Sequence, residues 1–598
     1  MRGHIAQAES PAARAVAMIE LAKFLLHAGD ERVEEASAVL DEAIAIADDA
    51  GDARLLYLAR VVRARAARAT GDDDTNRDQL SRALVLCEAI GANRPLPELL
   101  MLLSNVDARH GDLDSARIAL ERALEQAVDN GDEHQLARVR VELGRLERKA
   151  GELDAARAQL ELALDVIRDR GPIAVRTTVE EDLAALAHAA GDYPGALDHY
   201  QHACDGWSEL DRQPQVARCL LRMAEMSRLL GRRGDARLHL AEALGIAQGS
   251  GDRSREAEVR CALGDVARTT SDYREARRQF ERALELAEQT REQRIQGKAV
   301  AGLASCDRVA RDLVSAQRRL ERARSIAEAG GERYAQINAT VALASVLATR
   351  GEWAAARACY VEARDEAAKA DYHLGVANAS YGLGLLGVHE GDLAGAGDEL
   401  ERCRRFSAEL GEQHGLVHAH AGRAMWAMVA GDDDRARAEA AESRARAEAA
   451  DYRLAVATAT RLVGLIDLAA GDVEDAARAL AEAEERSRAI GDVGGAFEAS
   501  SALAECLLSV GDVDAAEAPL IEARDAFEAH GDQLALAETQ RRLGMVALAR
   551  SREAEALGWL RLAVAGLTGL GARPRLAVAA IELALLEDAQ GRTDEAKR

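Results

Sequence analysis

The stretch that decides the fold runs from Leu143 to Ala163 and reads LGRLERKAGELDAARAQLELA. Its residues favour helix on both sides of Gly151, and glycine followed by an acidic residue is typical of the place where one helix ends and the next begins. Glycine tolerates the positive φ that ends a helix, and the carboxylate caps the N–H groups of the following helix. The stretch therefore predicts two helices joined by a tight turn.

The same punctuation recurs every 40 residues from residue 51 onward, without insertion or deletion. One turn column steps from Gly71 to Gly591, and a second lies midway and steps from Gly51 to Gly571. Other residues replace glycine in some copies, namely Ser271, Arg311 and Ser551 in the first column and Asp211, Arg291, Asp371 and Asp451 in the second. Each period is therefore predicted to be one pair of helices.

Small side chains occupy fixed places on both helices of the pair. Alanine stands at every fortieth residue from Ala116 to Ala596, and Ala, Ser or Gly stands at every fortieth residue from Ala64 to Ala584. A large apolar column follows the first of these by four residues, with Leu160 as one member. Small residues at constant positions let helix backbones approach closely, so neighbouring helices are expected to stack.

This pattern resembles the tetratricopeptide repeat, in the form of about 40 residues found in kinesin light chain, rapsyn and the regulatory parts of maltose-regulator-type bacterial activators. The resemblance rests on Leu143-Gly144, Gly151, Leu153, Ala156, Leu160 and Ala163, whose turn, small and large positions return every 40 residues. It implies an all-α protein, a right-handed α-solenoid superhelix of about fourteen helix pairs plus a terminal helix. HEAT repeats have similar lengths, but the Gly-Asp turn followed by Ala, Leu and Ala favours the tetratricopeptide interpretation.

Three segments are expected along the chain. Residues 1–50 form a first unit with a longer turn at Gly29-Asp30, and residues 51–570 form thirteen units of one continuous superhelix. Residues 571–598 contain a terminal helix and a pattern cut short, which is either a cap or a cut point.

Composition and charge limit the partners. The net charge of −25 argues against a general affinity for nucleic acid or acidic membranes, and no uncharged apolar run is long enough to span a bilayer. The eight cysteines have no spacing typical of a metal or redox site, and the start lacks a secretory signal, so a cytoplasmic location is expected.

The resemblance implies that the first helix of each pair lines the concave face. Net charge is −13 over 1–200, +5 over 201–350 and −17 over 351–598, so the middle of the chain is basic. The predicted basic contacts of this face are Arg148, Arg228, Arg268, Arg308, Lys298, Asn338 and Asn378. Equally spaced guanidinium groups suit the carboxylates or phosphates of an extended acidic ligand, although exposed helix faces are often rich in arginine without one.

The same concave columns become apolar in the later repeats. Their members are Leu385, Val388, Met425, Met428, Leu465, Leu468, Leu508, Met545 and Leu548. Met and Leu in a groove suit an amphipathic helix or an apolar peptide, but the same residues also suit packing between neighbouring first helices. Both interpretations stay open at this point.

Signals for chemistry are weak. Gly382, Gly384 and Gly387 match a dinucleotide-binding pattern, but they fall inside a predicted helix instead of a strand-to-helix turn. His414 and His418 share a helix face, with His420 and His389 nearby, yet incidental histidines are the favoured explanation. We expect no catalytic residues, no metal site and no cofactor, because turns of a few residues leave no inserted loop to hold a reaction centre.

The favoured hypothesis is therefore a non-catalytic scaffold that binds an acidic or amphipathic protein or peptide segment in its groove. An alternative is a ligand-sensing regulatory module of a larger signalling or transcription-control system. A further alternative is self-association, in which unmatched ends stack head to tail into a filament.

Overall fold

The computed structural model describes residues 10–27, 32–167 and 171–590, and the regular structure in these ranges is helical. It contains fourteen consecutive helix pairs and one further helix, which confirms the predicted all-α repeat. The helices are α1 Pro11–His27, α2 Val33–Asp49, α3 Ala53–Ala69, α4 Asp73–Ala89, α5 Leu96–Arg109, α6 Leu113–Asp129, α7 Glu133–Ala150, α8 Leu153–Ile167, α9 Ile173–Ala189, α10 Tyr193–Glu209, α11 Gln213–Leu229, α12 Arg233–Ser250, α13 Arg253–Thr269, α14 Tyr273–Thr290, α15 Gln293–Val309, α16 Leu313–Ala329, α17 Arg333–Thr349, α18 Trp353–Lys369, α19 His373–Glu390, α20 Leu393–Glu409, α21 Gln413–Ala430, α22 Asp433–Ala449, α23 Arg453–Ala470, α24 Val473–Ile490, α25 Val493–Ser509, α26 Val513–His530, α27 Gln533–Ala549, α28 Glu553–Leu570 and α29 Arg573–Ala589.

Two compact units divide the chain, Met1–Met226 and Ser227–Arg598. Helices α1–α10 lie in the first unit and α12–α29 in the second. The longer turn expected at Gly29-Asp30 and the interrupted pattern at 591–598 lie outside the described residues. The three-segment division of the chain stays a prediction.

The turns have the conformation that the sequence predicts. Gly151 follows α7 with φ +85°, and the side chain of Asp112 accepts a hydrogen bond from the Ser115 N–H at 3.1 Å at the start of α6. The hydrogen bonds from Ser115 lower the pKa of the Asp112 carboxyl, so this cap is charged at neutral pH. Left-handed backbone and a capping carboxylate together turn the chain within two residues.

Pairs of small and large residues hold the two helices of a repeat together. Ala156 is buried, and a Cβ placed on Gly144 would lie 2.8 Å from Leu160 Cγ. Gly144 therefore has no room for a side chain, and Leu160 fills the space between the two helices.

Successive first helices also pack on one another, for example α13 on α15 and α19 on α21. Elements on the inside of a curved stack lie closer together than those on the outside. Within the second unit the first helices therefore line the inner side of the curve.

The second unit curls until repeats about five positions apart touch. Arg233 Nη1 lies 3.1 Å from Asp451 Oδ2, and the Leu454 N–H donates to Ser271 Oγ at 3.3 Å. Arg311 pairs with Glu498 and Asp532, each at 2.7 Å. These contacts bring the inner surface of earlier repeats to face that of later ones.

None of the helices in the described ranges combines the length and apolar character needed to span a bilayer.

Candidate functional site

Three of the predicted basic residues follow one another along the inner side of the second unit. Arg228, Arg268 and Arg308 lie near the ends of α11, α13 and α15, and each keeps part of its surface exposed. Arg268 pairs with Asp265 at 3.4 Å. Arg228 and Arg308 form no ion pair or side-chain hydrogen bond with any residue that the structure describes, so their guanidinium groups keep their donors available.

A row of rings lies on later first helices of the same unit. The ring centroids of Tyr381 and His418 are 5.3 Å apart, those of His418 and Tyr452 5.8 Å, and those of His414 and Tyr452 4.7 Å. Such tilted and edge-on contacts are favourable arrangements for aromatic groups. The row joins α19, α21 and the start of α23.

The cross-repeat contacts bring the arginines and the rings together. Asp451 and Leu454, which flank Tyr452, are held by Arg233 and Ser271. Tyr452 therefore lies within the field of Arg268 and Arg308. We call the resulting group the inner cluster, and its members are Arg228, Arg268, Tyr273, Arg308, Tyr381, His414, His418 and Tyr452.

Burial and neighbouring arginines keep the rings of the inner cluster neutral. Burial lowers the pKa of His414 to about 4, and Arg233, Arg228 and Arg268 act in the same direction. Burial, with His414 nearby, also lowers the pKa of His418 to about 4. Burial raises the pKa of Tyr273 to about 12. At neutral pH the positive charge of the cluster therefore comes from its guanidinium groups, while the rings offer neutral polar atoms and aromatic faces.

The other predicted basic and polar residues lie elsewhere. Arg148 is exposed on α7 in the first unit, and Lys298 is exposed on α15. Asn338 on α17 donates to the Tyr372 hydroxyl at 3.0 Å, while Asn378 is half-buried on α19.

The predicted apolar residues are mostly half-buried at the edges of the packed core. Met425 and Met428 pack against one cluster, Leu465 and Leu468 against the next. Leu508 and Leu548 do the same further on, and Leu385 and Met545 are half-buried.

Val388 differs from the rest of that column. It is 1% exposed and lies in a core cluster with Ala396 and Leu400, so its side chain is closed to a partner in this structure. Its neighbours in the column combine packing with partial exposure, so the two interpretations of the apolar columns are not mutually exclusive.

The glycine pattern at 382–387 lies inside α19, as expected. A Cβ on Gly382 would lie 2.2 Å from the Tyr360 ring, and one on Gly384 would lie 2.6 Å from Leu400 Cγ. Because these glycines have no side chain, Tyr360 and Leu400 can pack against the α19 backbone in the core.

A second basic concavity lies in the first unit. A cavity of about 440 Å³ opens between α3, α4 and α5, and its lining includes Arg65, Arg68, Asn105 and Arg109. Arg109 is already paired with Asp73 at 2.6 Å, whereas Arg68 is exposed.

Sequence reasoning missed the tyrosines of the inner cluster. Tyr273 and Tyr452 stand next to turn columns, and nothing local indicates that segments almost 180 residues apart meet. The available signal was the loss of glycine at Ser271 and Asp451, whose side chains form contacts between distant repeats.

A model of the tetratricopeptide repeat matches residues 95–169 and 176–249, and a second such model matches residues 257–290. A model of anaphase-promoting complex subunit 5 matches residues 7–65. No curated protein sequence matches the chain.

Solved structures of similar fold include the APC/C hetero-tetramer Cut9-Hcn1, with 13% identity, a TM-score of 0.56 and coverage of 95% of this chain and 98% of that chain. BtubC (BKLC) from P. vanneervenii is 22% identical over 37% of this chain and 92% of that chain, with a TM-score of 0.33. Rap protein complexed with Competence and Sporulation Factor is 14% identical over 70% of this chain and 98% of that chain, with a TM-score of 0.35.

The first repeat model matches the stretch from Leu143 to Ala163, in which the 40-residue pattern is clearest. The Cut9-Hcn1 structure shares the fold over almost the whole chain. The chain therefore contains tetratricopeptide repeats within an all-α repeat fold.

Proposed function

We propose that the second unit is a non-catalytic scaffold that binds an acidic protein or peptide segment on its inner surface. The observation that carries this proposal is the pair of arginines, Arg228 and Arg308, that face inward beside aromatic rings and have no ion-pair partner among the described residues. Charge-assisted hydrogen bonds to carboxylates are among the strongest that a protein surface offers.

The surroundings of these arginines support the same proposal. Several other arginines of the second unit are paired, as Arg277 is with Asp307 at 2.7 Å and Arg364 with Glu399 at 2.8 Å. The rings of Tyr381, His418 and Tyr452 provide flat apolar surface within the same space. An extended segment with acidic side chains suits a surface where cationic groups recur from repeat to repeat.

The test uses the full chain and a fluorescein-labelled peptide of twelve glutamates, followed by fluorescence anisotropy. We expect binding that weakens with salt, because exposed charges are screened. Replacing both Arg228 and Arg308 by Ala is expected to weaken binding at least ~10-fold, since each charge-assisted hydrogen bond contributes about 1.5–3 kcal/mol.

The matched control is Arg318→Ala. Arg318 is exposed on α16, the second helix of the repeat that contains Arg308. Its loss changes the net charge without touching the inner surface. Equal weakening in the control, or unchanged binding in the double variant, would contradict the proposal.

A second candidate is association between copies of the chain, and one observation favours it. Val578, Ile581 and Leu585 form one exposed apolar face of α29, with exposures of 49%, 60% and 68%. Exposed apolar faces of this kind mark association sites. The mass of the wild-type chain by light scattering is expected to exceed 64.0 kDa and to fall to that value in Ile581→Asp; a constant mass near that value for the wild type would contradict association.

A further inference from the structure

One carboxylate and two imidazoles lie close together in the first unit, between α9 and α10. Glu180 Oε2 lies 2.7 Å from His199 Nδ1 and 3.8 Å from His202 Nδ1. The three ligand atoms lie within 4.8 Å of one another. His199 and His202 are three residues apart on α10, so they share one face of the helix.

The repeat supplies an internal comparison for this position. The residues equivalent to Glu180 and His199 join the two helices of other pairs through Arg and Gln, as in Arg60 with Gln79 at 3.0 Å and Arg260 with Gln279 at 3.1 Å. Helix pairing at this position therefore does not require a carboxylate and an imidazole. In the same two repeats, arginine stands at the position of His202, as Arg82 and Arg282.

The charge around Glu180 is also unusual. The adjacent Glu181 is held by Arg218 at 2.8 Å and by the Trp207 indole at 3.1 Å. Within the described ranges, Glu180 contacts the two histidines and pairs with no Lys or Arg. The Glu180 side chain is only 12% exposed, so a carboxylate there without a cation is costly, and a bound metal ion would supply the missing positive charge.

A similar His–Glu pair elsewhere in the chain lacks this feature. His420 lies 2.6 Å from Glu439, but Arg423 pairs with the same carboxylate at 2.7 Å. Arg423 thus neutralises Glu439, whereas no Lys or Arg among the described residues neutralises Glu180.

We propose that Glu180, His199 and His202 bind a divalent transition-metal ion, and that Zn²⁺ suits this donor set best. Two imidazoles and one carboxylate match the ligands that Zn²⁺ takes when a fourth position is left to water. Bonds of about 2.1 Å in tetrahedral geometry separate neighbouring ligand atoms by roughly 3.4 Å. The distances of 2.7 and 3.8 Å bracket that value, so small side-chain movements complete the site.

The site is open to solvent on one side, because the side chain of His202 is 65% exposed. A metal ion can therefore enter without unfolding the helix pair. Ca²⁺ and Mg²⁺ prefer oxygen ligands, so neither is expected to compete at similar concentrations.

The test is isothermal titration of the chelator-treated, desalted full chain with ZnCl₂. We expect one site that His202→Ala and Glu180→Gln each weaken at least ~10-fold, the lower range seen when even outer-shell partners of a metal site are changed. His202→Ala leaves the contact between Glu180 and His199 in place, so the fold is expected to survive. Circular dichroism checks this for each variant.

The control is His420→Ala, which removes the histidine of the arginine-neutralised pair. Zinc affinity and stoichiometry are expected to match the wild type. The proposal is overturned if wild-type protein takes up no zinc, if His202→Ala and Glu180→Gln bind it as the wild type does, or if the control loses it equally. Seven of the eight cysteines are buried, and the variants distinguish the proposed site from any thiol that takes up zinc.

Discussion

The neutral imidazoles of His414 and His418 show how the surroundings of a single residue set its chemistry. Their pKa values near 4 arise first from burial, and nearby arginines strengthen the effect for His414. A protonated ring would add positive charge to a surface that already holds several guanidinium groups. Keeping the rings neutral therefore limits repulsion within the inner cluster.

This protonation behaviour predicts a pH dependence of stability. Histidine in an unfolded chain titrates near pH 6.5, whereas folded His418 titrates near 4, so between these values the unfolded state binds the extra proton. The contribution of the neutral His418 ring to the free energy of unfolding is fully present above pH 6.5. It is lost as the pH falls towards 4, because the free energy of unfolding then decreases by up to about 1.4 kcal/mol per pH unit.

Urea unfolding of wild type and His418→Gln at pH 7, 6, 5 and 4.5 measures this contribution. The variant is expected to lose less stability than wild type over this range. His134→Gln, which changes an exposed histidine of the first unit, is expected to follow the wild type. Parallel curves for wild type and His418→Gln would contradict the assigned pKa.

At the scale of the helix, the size of one side chain determines which residue its neighbour can be. Phe280 takes the place of leucine in the large apolar column, and glycines face its ring from two sides. A Cβ on Gly302 would lie 2.5 Å from the ring, and one on Gly264 would lie 2.7 Å away. Glycine on α13 and α15 therefore leaves room for the aromatic ring on α14.

Gly302→Ala is consequently expected to destabilise the second unit by about 1–3 kcal/mol through overpacking, despite the better helix propensity of alanine. Phe280→Leu in the same chain is expected to recover much of that loss, which a double-mutant cycle in urea measures. Gly245→Ala is the control, because a Cβ there meets nothing within 4 Å. Equal effects at Gly245 and Gly302 would contradict the packing argument.

At the scale of the whole molecule, the curling of the second unit depends on residues that interrupt the glycine columns. Arg311 adopts φ +61°, a conformation that costs about 1–2 kcal/mol for a residue with a side chain. Its guanidinium pairs with Glu498 and Asp532 on later repeats, and only 14% of its side chain is exposed. The ion pairs offset the backbone strain.

Two glycine substitutions separate these effects. Arg291 has φ +58°, and none of the described residues forms an ion pair with it. Arg291→Gly is expected to stabilise the protein slightly, because only strain is removed. Arg311→Gly is expected to destabilise it by about 2–4 kcal/mol, since two carboxylates lose a buried partner. Urea unfolding compares the two, and a stabilising Arg311→Gly would contradict the role of these ion pairs.

Contacts within one repeat could be predicted from the sequence, whereas contacts between distant repeats could not. The turn at Gly151 and the close contact of Gly144 with Leu160 depend on residues within one repeat, so their spacing was sufficient to predict them. The convergence of Arg268 with Tyr452 depends on the curvature summed over about five repeats, which no local pattern encodes. The group of Glu180, His199 and His202 has no local sequence signal for a different reason, because Glu180 and His199 lie on separate helices and only the packing of α9 on α10 brings them together.

Hydrogen–deuterium exchange of the full chain with and without the twelve-glutamate peptide tests directly whether the inner surface binds an acidic segment. An acidic segment on the inner surface predicts slower exchange in α13, α15 and the start of α23, with little change in the second helices α14 and α16. Protection confined to α14 and α16, or no protection at peptide concentrations where anisotropy reports binding, would contradict the inner cluster as the binding surface.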